Sequence, residues 1–411
     1  MRSKELSETI AIKNEAPKEW PSIRTELDPW QPVWAEQKEF DLASGKYVKV
    51  WHGPQHPGVT GNMAVELTLE GDVIVEAKTH VGYLHRGFEK LMERRKYIQC
   101  FPIVCRICVP EPDVNEYLLA AGVEELAGIE IPERGAWIRT LVLEMIRAAS
   151  LTMGLGGQAG AFGLVPIGQW GVAHRDYILD LFEELTGGRV YHMYIIPGGV
   201  RQDFPDAEFP QRVEAVMNKL EKLIHDIEKV MFNNAVFKAR AKGLGYIPPE
   251  WIEPYGITGT TARAAGVPID VRKNNPYLVY DQLDFEMILG SASDVYERTL
   301  LRKEEVLNSI RLIRQILKRM PKEGPVRAKL PNVLHWKIPA GETYVRAESG
   351  RGEMGYYIVS DGSEYPRRVH VRGSSYTHAM SVLERLAVGN SIADMAGLMP
   401  SLQTCPPEIE R

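Results

Sequence analysis

Polar and apolar residues alternate from Lys46 onward, in Tyr47-Val48-Lys49-Val50-Trp51, then over 63–70 and 73–79 on either side of Gly71-Asp72. Period two around a turn dipeptide predicts a small antiparallel sheet. A loop, Gly53-Pro54-Gln55-His56-Pro57-Gly58, interrupts these strands, and a second, Gly82 to Glu93, leads into a helix aimed at a cysteine pair. Pro102 should end or kink that helix just before Cys105. Beyond it the spacing changes to three and four, which predicts helices over 113–126, 132–153, 171–185, 210–232 and 287–320. The second, with Ile138, Leu141, Val142, Met145, Ile146 and Ala149, is apolar enough for the centre of a bundle. Glycine-rich stretches at 154–168 and 197–199 read as connections packed against a neighbour. Alternation returns over 343–345, 355–360 and 368–372, with a turn at Asp361-Gly362, before helices near 376–387 and 392–398 and a closing tail, 403–411.

The pattern defines an α+β protein, a long-helix bundle flanked by small antiparallel sheets, without internal repeats. Residues 1–45 differ: they are polar, broken by Pro17, Pro21, Pro29 and Pro32, yet carry Trp20, Trp30 and Trp34. This composition suggests a docking arm ahead of a domain spanning 46–411.

Charge and cysteine content narrow the chemistry. A formal charge of −5 provides no basic field to collect phosphates, so nucleic acid is not an expected partner. No run of about 18 apolar residues is present, and the first residues lack the apolar core of a signal peptide, so work at a membrane would require other subunits to hold the chain there. Four cysteines, at 100, 105, 108 and 405, are too few and uneven for a disulfide scaffold and fit a reducing compartment. Cys105-Arg106-Ile107-Cys108 has the spacing to converge on one soft metal, to cycle as a dithiol, or to attack sulfur, and it equally suits two buried structural thiols. A zinc site would need two more ligands, of which Cys405 is the distant soft candidate. Single histidines such as His56, His80 and His85 are more often hydrogen-bonded structural groups than ligands, although His85-Arg86 on a glycine loop makes a compact cationic corner. Asp361-Gly362 by itself is a hairpin turn.

Taken together, Gly53-Pro54-Gln55-His56-Pro57, the 82–90 loop, Cys105-Arg106-Ile107-Cys108, Pro197-Gly198-Gly199-Val200, Gly256-Ile257-Thr258-Gly259, Asp270-Val271-Arg272-Lys273 and the 351–362 segment resemble one family. It is that of the large subunit of membrane-bound nickel–iron hydrogenases and its relative, the 49-kDa-type subunit of respiratory complex I, over residues 46 to 411. The resemblance implies a hydrogenase-large-subunit-like fold. It also exposes departures. Hydrogenases hold nickel and iron with two C-x-x-C pairs; here Cys405 occupies the first position of the second pair and Glu408 stands where the last cysteine belongs. Pro112 replaces a histidine and Gly61 lies near the place of a proton-handling glutamate, while the quinone-contacting histidine and tyrosine of complex I correspond to Thr60 and Val109.

A third branch, the archaeal membrane-bound sulfane sulfur reductases, matches this intermediate state. It implies an oxidoreductase subunit without a cofactor of its own and without a nickel–iron centre. A 4Fe-4S cluster would reside in the adjacent iron–sulfur small subunit, ferredoxin would donate electrons and polysulfide would accept them. The remaining partners would be other hydrophilic-arm subunits and antiporter-like membrane-arm subunits that translocate ions, with the chain peripheral on the cytoplasmic face of the cell membrane. On this reading Cys105, Cys108 and Arg106 are catalytic, and His56, His85, Arg86, Glu89, Asp361 and Cys405 line the substrate cleft; Arg86 and Arg106 would depress thiol pKa values or hold an anionic polysulfide. A modified hydrogenase, a quinone- or phenazine-reducing subunit, and a non-catalytic coupling subunit are the alternatives.

Overall fold

The computed structural model describes residues 40–56 and 62–411; the expected N-terminal arm up to residue 39, and Thr60 and Gly61, lie outside the described residues. The first sheet forms as the alternation dictates, from β1 (Tyr47–His52), β2 (Ala64–Glu70) and β3 (Val73–His80), antiparallel in that order. Gly71 takes φ 65° in the β2–β3 turn, a conformation open to glycine without Cβ strain.

Two short helices follow, α1 (Phe88–Met92) and α2 (Tyr97–Val104). Pro102 lies inside α2 rather than ending it, and Cys105 is the capping residue. Next, α3 (Pro112–Ala127) begins with proline at its first position, where the missing N–H costs nothing, and stops at Gly128, φ 63°. It lies on the second sheet because Gly122 has no side chain: a Cβ there would come within 2.6 Å of Ile358.

The next helix departs most from expectation. α4 (Glu133–Ala161) is 29 residues long and continues through Gly154, Gly156, Gly157 and Gly160, which the sequence assigns to a connection. α5 (Val165–Thr186) likewise starts six residues earlier than expected. Glycine weakens a helix by about 1 kcal/mol per residue, but here it lets two helices touch backbone to backbone: a Cβ on Gly171 would sit 2.9 Å from both Gly156 Cα and the Thr152 carbonyl. Close packing overrides propensity.

The chain continues through the hairpin β4 (Ile195–Ile196) and β5 (Gly199–Val200), α6 (Phe209–Ile227) with a π turn at Glu228–Phe232, and α7 (Ala235–Ala241), α8 (Gly259–Ala264) and α9 (Val271–Asn274). α10 (Val295–Arg319) is shorter than expected at its start, since the Asp294 side chain caps it by accepting from the Glu297 amide at 2.8 Å. Between α4 and α10 the core is charged. Arg147, Arg263 and Arg272 pair with Glu144, Asp270, Glu305 and Glu348 at 2.8–3.4 Å, all buried.

The second sheet is β6 (Gly341–Ser349), β7 (Gly352–Ser360) and β8 (Pro366–Arg372), antiparallel in order. A π turn at His378–Val382 leads into α11 (Leu383–Ala387), then α12 (Ile392–Ser401), and the expected tail folds as α13 (Pro406–Glu410). Among the described residues no helix is long and apolar enough to cross a membrane.

Candidate active site

Four segments converge on one buried point: the end of α2, the β6–β7 turn at Gly350-Arg351, the Ser374-Ser375 step after β8, and the Gln403–Glu408 stretch entering α13. Cys108 Sγ and Cys405 Sγ are 3.8 Å apart and share a hydrogen bond. The Glu408 carboxylate completes a buried trio whose donor atoms lie within 4.8 Å of one another. Arg351 donates from Nη1 to Cys108 Sγ at 3.5 Å and pairs with Glu111 at 3.3 Å. Glu111 in turn accepts from the Gly350 amide at 2.9 and 3.1 Å, fixing the turn that carries Arg351. Glu408 Oε1 accepts from Ser374 Oγ, the Ser375 amide and Ser375 Oγ at 2.9–3.2 Å, whereas Oε2 is buried without a hydrogen-bond partner.

The two thiols are unequal. The contact with Cys405 and burial push Cys108 well above the usual thiol range. The same contact, with the Arg351 guanidinium nearby, lowers Cys405. Cys405 is therefore the more acidic thiol of the pair, and Cys108 the one that holds its proton more tightly.

Cys105 does not join this trio. Its sulfur faces the Pro102 carbonyl at 3.4 Å and receives Arg106 Nη1 at 3.3 Å. Arg106 fails to depress it: burial, then Glu116, raise the thiol to about 12. Arg86 braces this corner, donating to the Arg106 carbonyl at 2.9 Å. Cys100 faces the core, with Sγ 3.4 Å from the Lys96 carbonyl.

The other expected cleft residues divide. His85 Nδ1 lies 2.6 Å from the Glu410 carbonyl and ties the chain end to the 82–89 loop. Glu89 accepts from the Val371 amide, Arg368 and Arg411 at 2.9–3.0 Å, so it anchors β8 and the C-terminal residue rather than facing the thiols. Two residues are elsewhere. Asp361 is exposed in the β7–β8 turn, where its carboxylate accepts from the Ser363 amide at 3.1 Å, and the whole of β7 separates it from Arg351. His56 is exposed against His52, ring centroids 4.1 Å apart, and does not line the cavity beside Cys405.

That cavity, about 430 Å³, is mostly apolar; Val109, Leu151, Gly154 and Pro406 line it, with Ser150, Arg302, Arg351, Gln403, Thr404 and Cys405 as its polar points. Arg302, Arg351, Ser374 and Ser375 went unassigned in the sequence. Arg351 sits within a recognised motif, but the serines and Arg302 carry no local signal.

The donor set does not fit a nickel–iron centre, which requires four converging thiolates. Cys108 and Cys405 converge, Cys105 points to Arg106, and Glu408 presents a hard oxygen already engaged by three donors on one side. As a zinc site, two sulfurs and a carboxylate are one ligand short of a closed tetrahedron.

The bundle, the two flanking sheets and the buried thiol pocket define a large subunit of the hydrogenase and complex I type. The chain matches the family described as respiratory-chain NADH dehydrogenase, 49 Kd subunit, over residues 162–335 and 333–411, and it belongs to that family. It is 43% identical over 366 residues to an NADH-quinone oxidoreductase subunit of Thermosipho melanesiensis, covering 89% of this chain and 99% of the relative. It is 39% identical to an F(420)H(2) dehydrogenase subunit of Methanosarcina mazei, covering 87% and 96%. Among solved structures it resembles a chain of the membrane-bound sulfane sulfur reductase, an archaeal respiratory membrane complex, with a TM-score of 0.87 and 40% identity over 91% of this chain and all of that one. The protein is thus a complex I-type 49-kDa subunit of a membrane respiratory complex, of the oxidoreductase class.

Proposed function

We propose that this subunit reduces sulfane sulfur, the zero-valent sulfur of polysulfides, with Cys405 as nucleophile and Cys108 as resolving thiol. One observation carries the reading: two sulfurs 3.8 Å apart, one of them in the wall of an apolar cavity, where complex I relatives would need quinone-binding groups and hydrogenases four thiolates. The Cys405 thiolate attacks one sulfur of a substrate S–S bond, forming a Cys405–sulfur bond, and the far fragment leaves as an anion. Cys108 then attacks Cys405 Sγ, expelling the retained sulfur fragment and closing a Cys108–Cys405 disulfide. The proton it loses passes to Glu408, whose second oxygen is buried without another partner. Two electrons from an iron–sulfur cluster in the adjacent small subunit reopen the disulfide, and Glu408 returns the proton to Cys108. The balance is one S–S bond plus two electrons giving two sulfur anions.

The resemblance to the sulfane sulfur reductase complex supports the rest of the proposed assembly: ferredoxin as donor, other hydrophilic-arm subunits on the cytoplasmic face, and antiporter-like membrane-arm subunits that use the reaction energy to move ions. This chain then holds no cofactor of its own. The test compares wild-type and Cys405→Ser complexes for sulfide release from polysulfide, hydrogen evolution and quinone reduction. Sulfide release that disappears in Cys405→Ser is expected; hydrogen or quinone turnover by the wild type without sulfide release contradicts the assignment.

A further inference from the structure

Arg302, on α10, is fully buried and lines the cavity beside Cys405. Its hydrogen bonds all go to uncharged acceptors: Nη1 to the Gly154 carbonyl at 3.0 Å, and Nη2 to the Pro400 and Ser401 carbonyls at 2.9 and 3.3 Å. The Gln403 amide completes the set. With its oxygen toward Arg302 Nε at 2.6 Å its nitrogen reaches the Gly350 carbonyl, the orientation in which both ends are satisfied. Among the described residues Arg302 has no carboxylate within ion-pair distance. The buried Arg139, Arg147, Arg263, Arg272 and Arg351 each have one; buried Arg298 also lacks one, but it donates to Ser401 Oγ and to the Gly245 and Ser293 carbonyls and does not line the cavity.

An unpaired buried cation is expensive, because desolvation is not offset by an opposite charge. The carbonyls at the end of α12 explain how the guanidinium is oriented. They do not neutralise it, and the positive Arg351 and Arg298 nearby add to the cost; burial, then those two charges, lower Arg302 to about 9. A guanidinium has five N–H groups, and Nη1 makes a single bond, so one donor is left over on a side chain at the cavity wall. Gln403 holds a left-handed backbone, φ 55°, two residues before Cys405, which is backbone strain at the point where the amide meets the guanidinium.

We propose that Arg302, held by Gln403, is the seat for the negative end of the substrate, so that this pocket selects a linear sulfur chain with a free anionic terminus over a neutral polysulfide capped by carbon at both ends. This rests on the sulfur-reductase reading and refines its substrate class. The apolar wall suits a polarisable sulfur chain, the cation fixes its charged end, and Cys405 meets an internal sulfur.

The test measures kcat/KM of the purified membrane complex for inorganic tetrasulfide and for dimethyl trisulfide, in wild type, Gln403→Glu and Arg302→Met. Gln403→Glu is nearly isosteric and supplies a carboxylate to Arg302, so it remains informative where Arg302→Met does not assemble. The expected result is a fall of about tenfold or more in the tetrasulfide-to-trisulfide ratio, carried by KM, as loss of one charge-assisted contact implies. An equal loss on both compounds overturns the anion seat and leaves Arg302 a structural residue. A wild-type complex inactive on both compounds overturns the sulfur reading itself.

Discussion

Cys405 and Cys105 are both buried thiols, and they differ in what their sulfurs touch. Cys405 lines the cavity and meets Cys108, while Cys105 meets Arg106 and the Pro102 carbonyl. Substituting serine at 405 or 108 should lower sulfide release by about 100-fold or more, because the hydroxyl is a far weaker nucleophile than the thiolate. Serine at 105 should cost less than tenfold by the same argument; steady-state assays on the assembled complex separate the cases. A second residue-scale prediction concerns His378, fully buried with Nδ1 against the Leu402 carbonyl at 3.1 Å and Nε2 unpartnered. Burial lowers it to about 4. The unfolded chain takes up that proton near pH 6.5, so native stability falls as pH drops from about 6.5 to 4, by up to about 3 kcal/mol. His378→Gln should flatten that acid limb of the thermal midpoint against pH; an unchanged slope would contradict it.

At the scale of elements, the α4–α5 contact depends on glycines that have no room to spare. Gly171→Ala would press a methyl onto backbone at 2.9 Å, which should destabilise by about 1–3 kcal/mol. Gly157→Ala meets nothing within 4 Å and should instead gain about 0.8 kcal/mol from helix propensity, and thermal denaturation of the two variants reads the difference. The same glycines show what the sequence conceals. Both three-stranded sheets were legible from period-two alternation, whereas the two-residue strands β4 and β5 are too short to show one. The end of α4 was not legible, since propensity argues against a glycine-rich helix and only the partner backbone explains it. Asp361 shows the converse limit. It belongs to the same motif as Arg351, yet nine strand residues at about 3.3 Å each carry it roughly 30 Å away. The C-x-x-C pair was evident, but the working pair joins Cys108 to a residue 297 positions later, and nothing local in the tail announces that register.

The described residues join a charged interior to a thiol pocket at the junction of α2, the second sheet and the chain end. The arginine–carboxylate cluster between α4 and α10 contributes little net stability, since desolvation offsets most of the attraction. Family membership was legible from ordered motifs along the chain, and the polysulfide expectation came with that resemblance; the contact of Arg302 with Gln403 was not legible, because it forms only in the fold. One prediction belongs to the intact complex: with the first C-x-x-C split between two environments and Glu408 in place of a thiolate, elemental analysis should find no nickel stoichiometric with this subunit, and one nickel per chain would contradict the donor argument. The central claim is that Cys108 and Cys405 form the reactive dithiol. The direct test is to add tetrasulfide to the reduced complex without an electron donor, quench with an alkylating reagent, and map the cysteines by mass spectrometry. A Cys108–Cys405 disulfide, or a persulfide on Cys405, is expected and should disappear when reduced ferredoxin is supplied; modification confined to Cys105, or none at all, would contradict the claim.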